Sequence, residues 1–201
     1  MSNKPSLILA SSSKNRLGLL QTIGISPDKI ISPDINEDRL KKENLDHFVM
    51  RLAEEKAKAV ASNYTENAYI IAADTIVGTK AKLFDKAKDD QEVIKYLNFY
   101  SGKRIYIKTA VSVLKLENGV ITKKASRLSV NKIKFKRFDK EELNLYVKSG
   151  CGIGNAGGLQ IEGYGQVLIK NIEGSYSGII GLPLYETVKL LKGLGYDYFK
   201  S

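Results

Sequence analysis

The stretch Tyr69-Ile70-Ile71-Ala72-Ala73-Asp74-Thr75-Ile76-Val77 is apolar at odd and even positions alike, broken only by Asp74 and Thr75. A strand with one wet face alternates in character, whereas one that does not alternate is covered on both faces. This strand therefore lies centrally in a sheet. Aspartate is a poor strand former and is rarely buried unpaired. Two readings of Asp74 follow: it caps a loop at the strand's end, or it is a metal ligand or general base there. Open α/β sheets gather their functional groups at the C-terminal ends of strands, which favours the second.

Outward from this strand the pattern alternates between helix and strand. Ser6–Ala10 reads as a short buried strand, and Lys14–Ile23 as a helix ended by Gly24. Lys29–Asp34 reads as extended, and Asn44–Asn63 as a long amphipathic helix. Asp89–Tyr100 has acidic residues in its first turn and Gly102 beyond its end, which predicts another helix. Ile105–Leu116 and Val120–Phe138 flank Asn118-Gly119, a strong hairpin signal. A helix over Lys140–Lys148, a glycine-rich loop over Gly150–Gly165, a strand over Gln166–Ile172 and a closing helix over Pro183–Leu194 complete the reading. The fold class is α/β with a mixed sheet and flanking helices.

Composition limits the chemistry. The 201 residues suit one domain, and no repeat or linker marks a boundary. No apolar run approaches the ~20 residues that cross a bilayer, and Leu7-Ile8-Leu9-Ala10 is too short for a secretory core. A cytoplasmic location is the default expectation. Cys151 and His47 are the only residues of their kinds, which excludes an internal disulfide and a His- or Cys-rich zinc site. Catalysis must run on carboxylates, lysine, arginine, hydroxyls or backbone.

Within the long helix, Leu45, Phe48, Val49, Leu52 and Val60 form one stripe, with Arg51, Glu54 and Lys58 opposite. Lys56 falls inside the apolar stripe. Its ammonium must snorkel, pair with a carboxylate, or meet an anionic ligand. The turn Ala10-Ser11-Ser12-Ser13-Lys14-Asn15-Arg16 joins the first strand to the first helix. One serine explains a cap; three followed by an arginine suit an anion site at a helix N-terminus. The loop after Gly150 contains a formal G-x-G-x-x-G, but a helix precedes it, so the dinucleotide reading is rejected. Its glycines fit a close backbone approach to a ligand. A net charge of +10 and the Lys132, Lys134, Lys136 stripe suit either a solvated strand face or a nucleic-acid surface.

The order of motifs resembles the Maf family of nucleoside triphosphate pyrophosphatases. The resemblance rests on Leu7-Ile8-Leu9-Ala10-Ser11-Ser12-Ser13 with Arg16, on Pro33-Asp34-Ile35-Asn36-Glu37, and on Leu52-Ala53-Glu54-Glu55-Lys56-Ala57-Lys58-Ala59-Val60-Ala61. It continues through Ala73-Asp74-Thr75, Leu83-Phe84-Asp85-Lys86, Ser101-Gly102, Ala156-Gly157, Ile161-Glu162-Gly163 and Gly181-Leu182-Pro183, and so spans essentially the whole chain. It implies a single Maf-like domain over 1–201, built on an elongated mixed β-sheet with two lobes around a cleft, of the Maf/ITPase-like kind. It also implies a hydrolase acting on phosphoanhydride bonds, converting an NTP to NMP and pyrophosphate with Mg²⁺ or Mn²⁺. The alternative is a basic nucleic-acid-binding module without catalysis.

Carried over residue by residue, the resemblance makes Asp74 catalytic and pairs it with Glu37 as metal ligands. It places Ser11, Ser13, Arg16, Lys56 and Lys86 on the substrate, and Asn15, Thr75 and Glu162 at the base. These last three are mixed. The branch acting on dTTP and UTP has arginine, threonine and glutamine at those places, and the branch acting on 7-methyl-GTP has an aromatic residue, glutamine and glutamate. The family's lysine before Ala-Gly is Asn155 here, the following aromatic residue is Leu159, and the histidine of the Ser-Gly motif is Ile105. The reaction is therefore clearer than the base. The expected partner is a nucleoside triphosphate, with no membrane and no stable nucleic-acid partner; the sequence leaves room for a homodimer.

Overall fold

The computed structural model describes residues 4–79 and 82–197. Its mixed sheet is seven-stranded, with strands in the order β2-β1-β3-β5-β6-β7 and β4 paired to β3. The strands are β1 (Ser6–Leu9), β2 (Lys29–Ile30), β3 (Ala68–Gly78), β4 (Leu83–Phe84), β5 (Arg104–Glu117), β6 (Val120–Phe135) and β7 (Ile169–Glu173). The helices are α1 (Lys14–Thr22), α2 (Leu45–Ala61), α3 (Asp90–Tyr100), α4 (Lys140–Lys148), α5 (Gly165–Leu168), α6 (Tyr176–Ile180) and α7 (Leu184–Gly193). The chain divides into two compact units. The first runs to Asp74 and adds Thr109–Ser129 and the segment from Gly181; the second comprises Thr75–Lys108 and Val130–Ile180.

In the first unit β3 has the central position that its two-faced apolarity predicts. It pairs in parallel with β1, from Ser6 opposite Ala68 to Leu9 opposite Ile71. On one face Ala68, Ile70 and Ala72 pack with Ala57, Val60 and Ala61 of α2. On the other, the Tyr69 ring meets Tyr196 edge-on at 5.1 Å, and its hydroxyl donates to the Leu194 carbonyl at 3.3 Å. Four of the six β3 and α2 residues on the first face are alanines, small enough to let the helix approach the sheet closely. Asn44 caps α2 by accepting from the His47 amide at 2.9 Å.

The second unit is organised around aromatic rings. Phe84, Tyr100, Phe135 and Tyr146 are all buried in its core, and the Tyr100 and Phe135 rings stack at 5.5 Å. The Tyr100 hydroxyl donates to the Gly157 carbonyl at 2.8 Å. The Tyr146 hydroxyl donates to the Gly158 carbonyl at 3.1 Å and accepts from the Gln160 amide at 2.7 Å. Burial pushes the Tyr146 phenol up to about 12, so it stays a donor at neutral pH. These two hydroxyls tie down the glycine-rich loop. A Cβ on Gly157 (φ +65°) would sit 2.6 Å from Val77 and 2.7 Å from the Tyr100 hydroxyl. The close approach that this glycine permits is therefore to the protein's own core.

Several expectations need correction. The strand expected over Gln166–Ile172 begins as the helical turn α5 and becomes extended only at Ile169. Amides of Gly165, Gln166 and Val167 bond back to Glu162, Gly163 and Tyr164, a local alternative to the sheet ladder. The extended segment Lys29–Asp34 contributes only Lys29–Ile30 to the sheet, because β1 offers it no partner beyond Leu9. The short β4 and α6 were not expected. The hairpin at Asn118-Gly119 forms as read, with φ positive at both residues.

Candidate active site

β1 ends at Leu9, but β3 continues, and the Ala10 amide donates to the Ile71 carbonyl at 2.8 Å as the chain turns away. Asp74 thus stands three residues past the last β1 partner. It is functionally at the end of the parallel pairing although it is mid-strand. It shares a face with Ala68, Ile70 and Ala72, and that face looks at α2.

Lys56 projects from α2 toward the same spot. Its Nζ lies 2.5 Å from Asp74 Oδ1 and 2.8 Å from Glu37 Oε1. Of the three readings open to Lys56, pairing is therefore the one realised: it is only 7% exposed and its ammonium bridges two carboxylates. Asp74 is 6% exposed. Burial raises its pKa, while Lys56 and Arg16 pull in the other direction and Glu37 adds to the rise. The upward shift persists with both cations present, so the protein's own charges leave this carboxylate undercompensated.

The serine turn behaves partly as a cap and partly as a frame for arginine. Ser13 accepts from the Arg16 amide at 3.4 Å and caps α1. Ser11 is buried, and its Oγ accepts from Arg16 Nη1 at 3.1 Å and from the Ser13 amide at 3.2 Å. Arg16 Nε donates to the Gly181 carbonyl at 2.9 Å, an anchor that reasoning from the residues missed; the only hint was Gly181-Leu182-Pro183 among the family motifs. Burial lowers the Arg16 pKa, and Asp74 then Glu37 act against that shift. An arginine remains charged through such a shift. Ser11, Arg16, Glu37, Lys56 and Asp74 are thus brought together within one unit.

The remaining candidates divide between chain neighbours of these residues and the second unit. Asn15 is exposed near the start of α1, and Thr75 is half-buried. In the second unit, Lys86 is exposed and its backbone bridges to Ala156. Glu162 there is half-buried in the loop held by Tyr146, and it makes no ion pair among the described residues. Two of the three lysines of the basic stripe are paired with carboxylates. Lys132 pairs with Glu173 at 3.2 Å and Lys136 with Glu142, which weakens the nucleic-acid reading.

No group of three or more His, Cys, Asp or Glu side chains suited to a metal occurs among the described residues. The carboxylates that could hold a cation here are two, Glu37 and Asp74, which share the Lys56 ammonium. Only Oδ1 of Asp74 takes a hydrogen bond from the described residues, from Lys56. Hard oxygen donors in that number suit Mg²⁺ or Mn²⁺, which commonly take one or two carboxylates and complete their shell with water and substrate phosphate.

The fold and the site together define a mixed α/β protein with a charge-dense centre of carboxylate, ammonium and guanidinium groups. The chain belongs to the Maf family: the family model described as Maf-like protein matches residues 6–194. It is 41% identical over 196 residues to a dTTP/UTP pyrophosphatase of Zymomonas mobilis, covering 98% of this chain and 95% of that protein. It is 40% identical over 193 residues to a nucleoside triphosphate pyrophosphatase of Rickettsia akari, covering 96% of each. A HAM1 protein from Coxiella burnetii is similar in structure at TM-score 0.48 and 16% identity, over 94% of this chain and 100% of that one.

Proposed function

We propose that this chain is a nucleoside triphosphate pyrophosphatase that hydrolyses an NTP to NMP and pyrophosphate with a divalent cation, and that residues 1–201 act as one functional domain. The observation that carries this reading is the buried Lys56 ammonium bridging Asp74 and Glu37 beside the Arg16 turn. The names of the relatives at about 40% identity agree with it. No helix among the described residues is long and apolar enough to cross a membrane.

In this mechanism Arg16 and Lys56 bind the phosphate oxygens, with the N-terminal end of α1 adding to the anion site. Ser11 holds the guanidinium in place, and Ser13 holds the helix start. Asp74 orients a water and takes its proton as the water oxygen bonds to phosphorus. The P–O bond of the α–β bridge breaks, and pyrophosphate leaves. Asp74 and Glu37 would hold the cation, which when bound neutralises charge developing on the phosphate oxygens. The test is a panel of standard and modified NTPs with Mg²⁺ or Mn²⁺, scored for pyrophosphate release. Release from none of them overturns the reading.

Base choice falls to Asn15, Thr75 and Glu162. An ionised carboxylate only accepts hydrogen bonds, while glutamine both donates and accepts. Guanine offers adjacent N–H donors that suit Glu162; uracil and thymine offer one N–H between two carbonyls. Thr75 and the name of the Zymomonas mobilis relative point to pyrimidines, so position 162 is the place to discriminate. Glu162→Gln is expected to raise the kcat/KM ratio of dTTP or UTP over guanine nucleotides about tenfold, since a mispaired polar group costs about 1–3 kcal/mol. An unchanged ratio would remove Glu162 from base reading.

A further inference from the structure

Glu37 lies in the segment between β2 and α2, which contains no regular element, and its side chain is 57% exposed. A lone, half-exposed ion pair is worth ~1 kcal/mol or less, too little to order such a segment. Yet Glu37 meets Lys56 at 2.8 Å. A different residue of α2 does the holding. Arg51 forms a fork with Glu43, Nε to Oε1 at 2.8 Å and Nη2 to Oε2 at 2.9 Å. The same Nη2 donates to the Asp38 carbonyl at 2.9 Å, on the residue next to Glu37. Nη1 reaches Glu55 at 2.9 Å on α2 itself, and the Phe48 ring lies 5.6 Å from the guanidinium.

The segment closes around this group. Glu43 Oε2 also accepts from the Leu40 amide at 3.1 Å, and Arg39 Nε donates to the Glu43 carbonyl at 2.8 Å. Asn36 accepts from the Asp38 amide at 2.8 Å. The Glu43 side chain is only 9% exposed, and its hydrogen bonds from Arg51 hold its pKa below the ordinary glutamate range.

We propose that Arg51 is the positioning residue for Glu37: by gripping Glu43 and the Asp38 carbonyl it presets the 36–43 segment, so that Glu37 faces Lys56 and Asp74 before any cation arrives. The consequence for the cation rests on the reading of Glu37 as a ligand. Lysine cannot substitute, because a point charge does not span both Glu43 oxygens and the Asp38 carbonyl.

The test combines direct Mn²⁺ titration with amide hydrogen exchange on the full chain, for wild type, Arg51→Ala, Arg51→Lys, Glu43→Gln and Glu37→Gln. The three clamp variants are expected to exchange faster at residues 36–43. They should also bind Mn²⁺ about tenfold more weakly, the scale of a lost outer partner of a metal ligand. At saturating Mn²⁺ their kcat should approach wild type, with the loss confined to the metal KM. Arg51→Ala combined with Glu37→Gln should bind no more weakly than Glu37→Gln alone. Unchanged exchange at 36–43, or additive losses in the double variant, would overturn the proposal. Unchanged Mn²⁺ affinity in Glu37→Gln alone would instead overturn the ligand reading of Glu37, and faster exchange in the Arg51 variants would still support the clamp. Should Arg51→Ala fail to fold, Arg51→Lys and Glu43→Gln carry the same comparison.

Discussion

Asp74→Asn is expected to lower turnover by about two to four orders of magnitude, the usual contribution of a positioned general base, while the protein stays folded. The amide keeps an oxygen for the Lys56 ammonium, which lies 2.5 Å from Asp74 Oδ1, so the local geometry has a reason to persist. It cannot accept a proton from water, and it is a poorer cation ligand than a carboxylate. Because the Lys56 ammonium keeps Glu37 as a charged partner, the variant should lose less stability than one that removes Lys56 and leaves Asp74 behind. Pyrophosphate release and thermal melting, measured together, check both halves. Near-normal release would remove Asp74 from its catalytic role.

Lys56→Met acts on the same pair with the opposite balance. Lys56 and Asp74 side chains are each 9% exposed, and breaking a buried ion pair from one side costs about 3–5 kcal/mol because the other charge stays behind. The variant is therefore expected to lose roughly 3 kcal/mol of stability near neutral pH, besides its phosphate contact. The sign of its pH dependence follows. Lys56 lowers the Asp74 pKa in the native protein, so its removal raises that pKa further. A carboxylate with a raised folded pKa binds more protons folded than unfolded, so stability falls as pH rises through that pKa. Acidifying from neutral toward the ordinary carboxylate range should thus restore part of the loss, in denaturant titrations without divalent cations. A loss that ignores pH would mean that Asp74 is not the group left uncompensated.

What the sequence disclosed were breaks in an apolar pattern. Lys56 stood out because five apolar neighbours fixed the face of its helix, and Asp74 because its strand did not alternate. Both anomalies proved to be the two halves of one contact. Arg51 gave no such signal: on the polar face of α2 it reads as one more solvated charge, and the segment that covers it carries no periodicity. Glu37 was visible only through resemblance, since an exposed carboxylate in an irregular segment has no pattern to violate. The Gln166–Ile172 stretch misled because Val167 and Leu168 suit a strand, while the Glu162-Gly163-Tyr164 turn before them supplies the hydrogen bonds of a helical turn. The anchor of Arg16 on Gly181 joins residues 165 positions apart and has no local trace at all.

The alanines between β3 and α2 bear on how such a site is inherited. Ala57, next to Lys56, and Ala72, two residues before Asp74, lie in one buried cluster where α2 packs on β3, and the length of one lysine side chain is fixed. The spacing of the ionic groups thus depends on methyl groups that are closed off from water. For a lineage drifting in sequence, the tolerance of the reaction is set as much by volume at these unreactive positions as by the identity of the carboxylate. Two residues with no functional group act as the gauge to which the charged ones are cut.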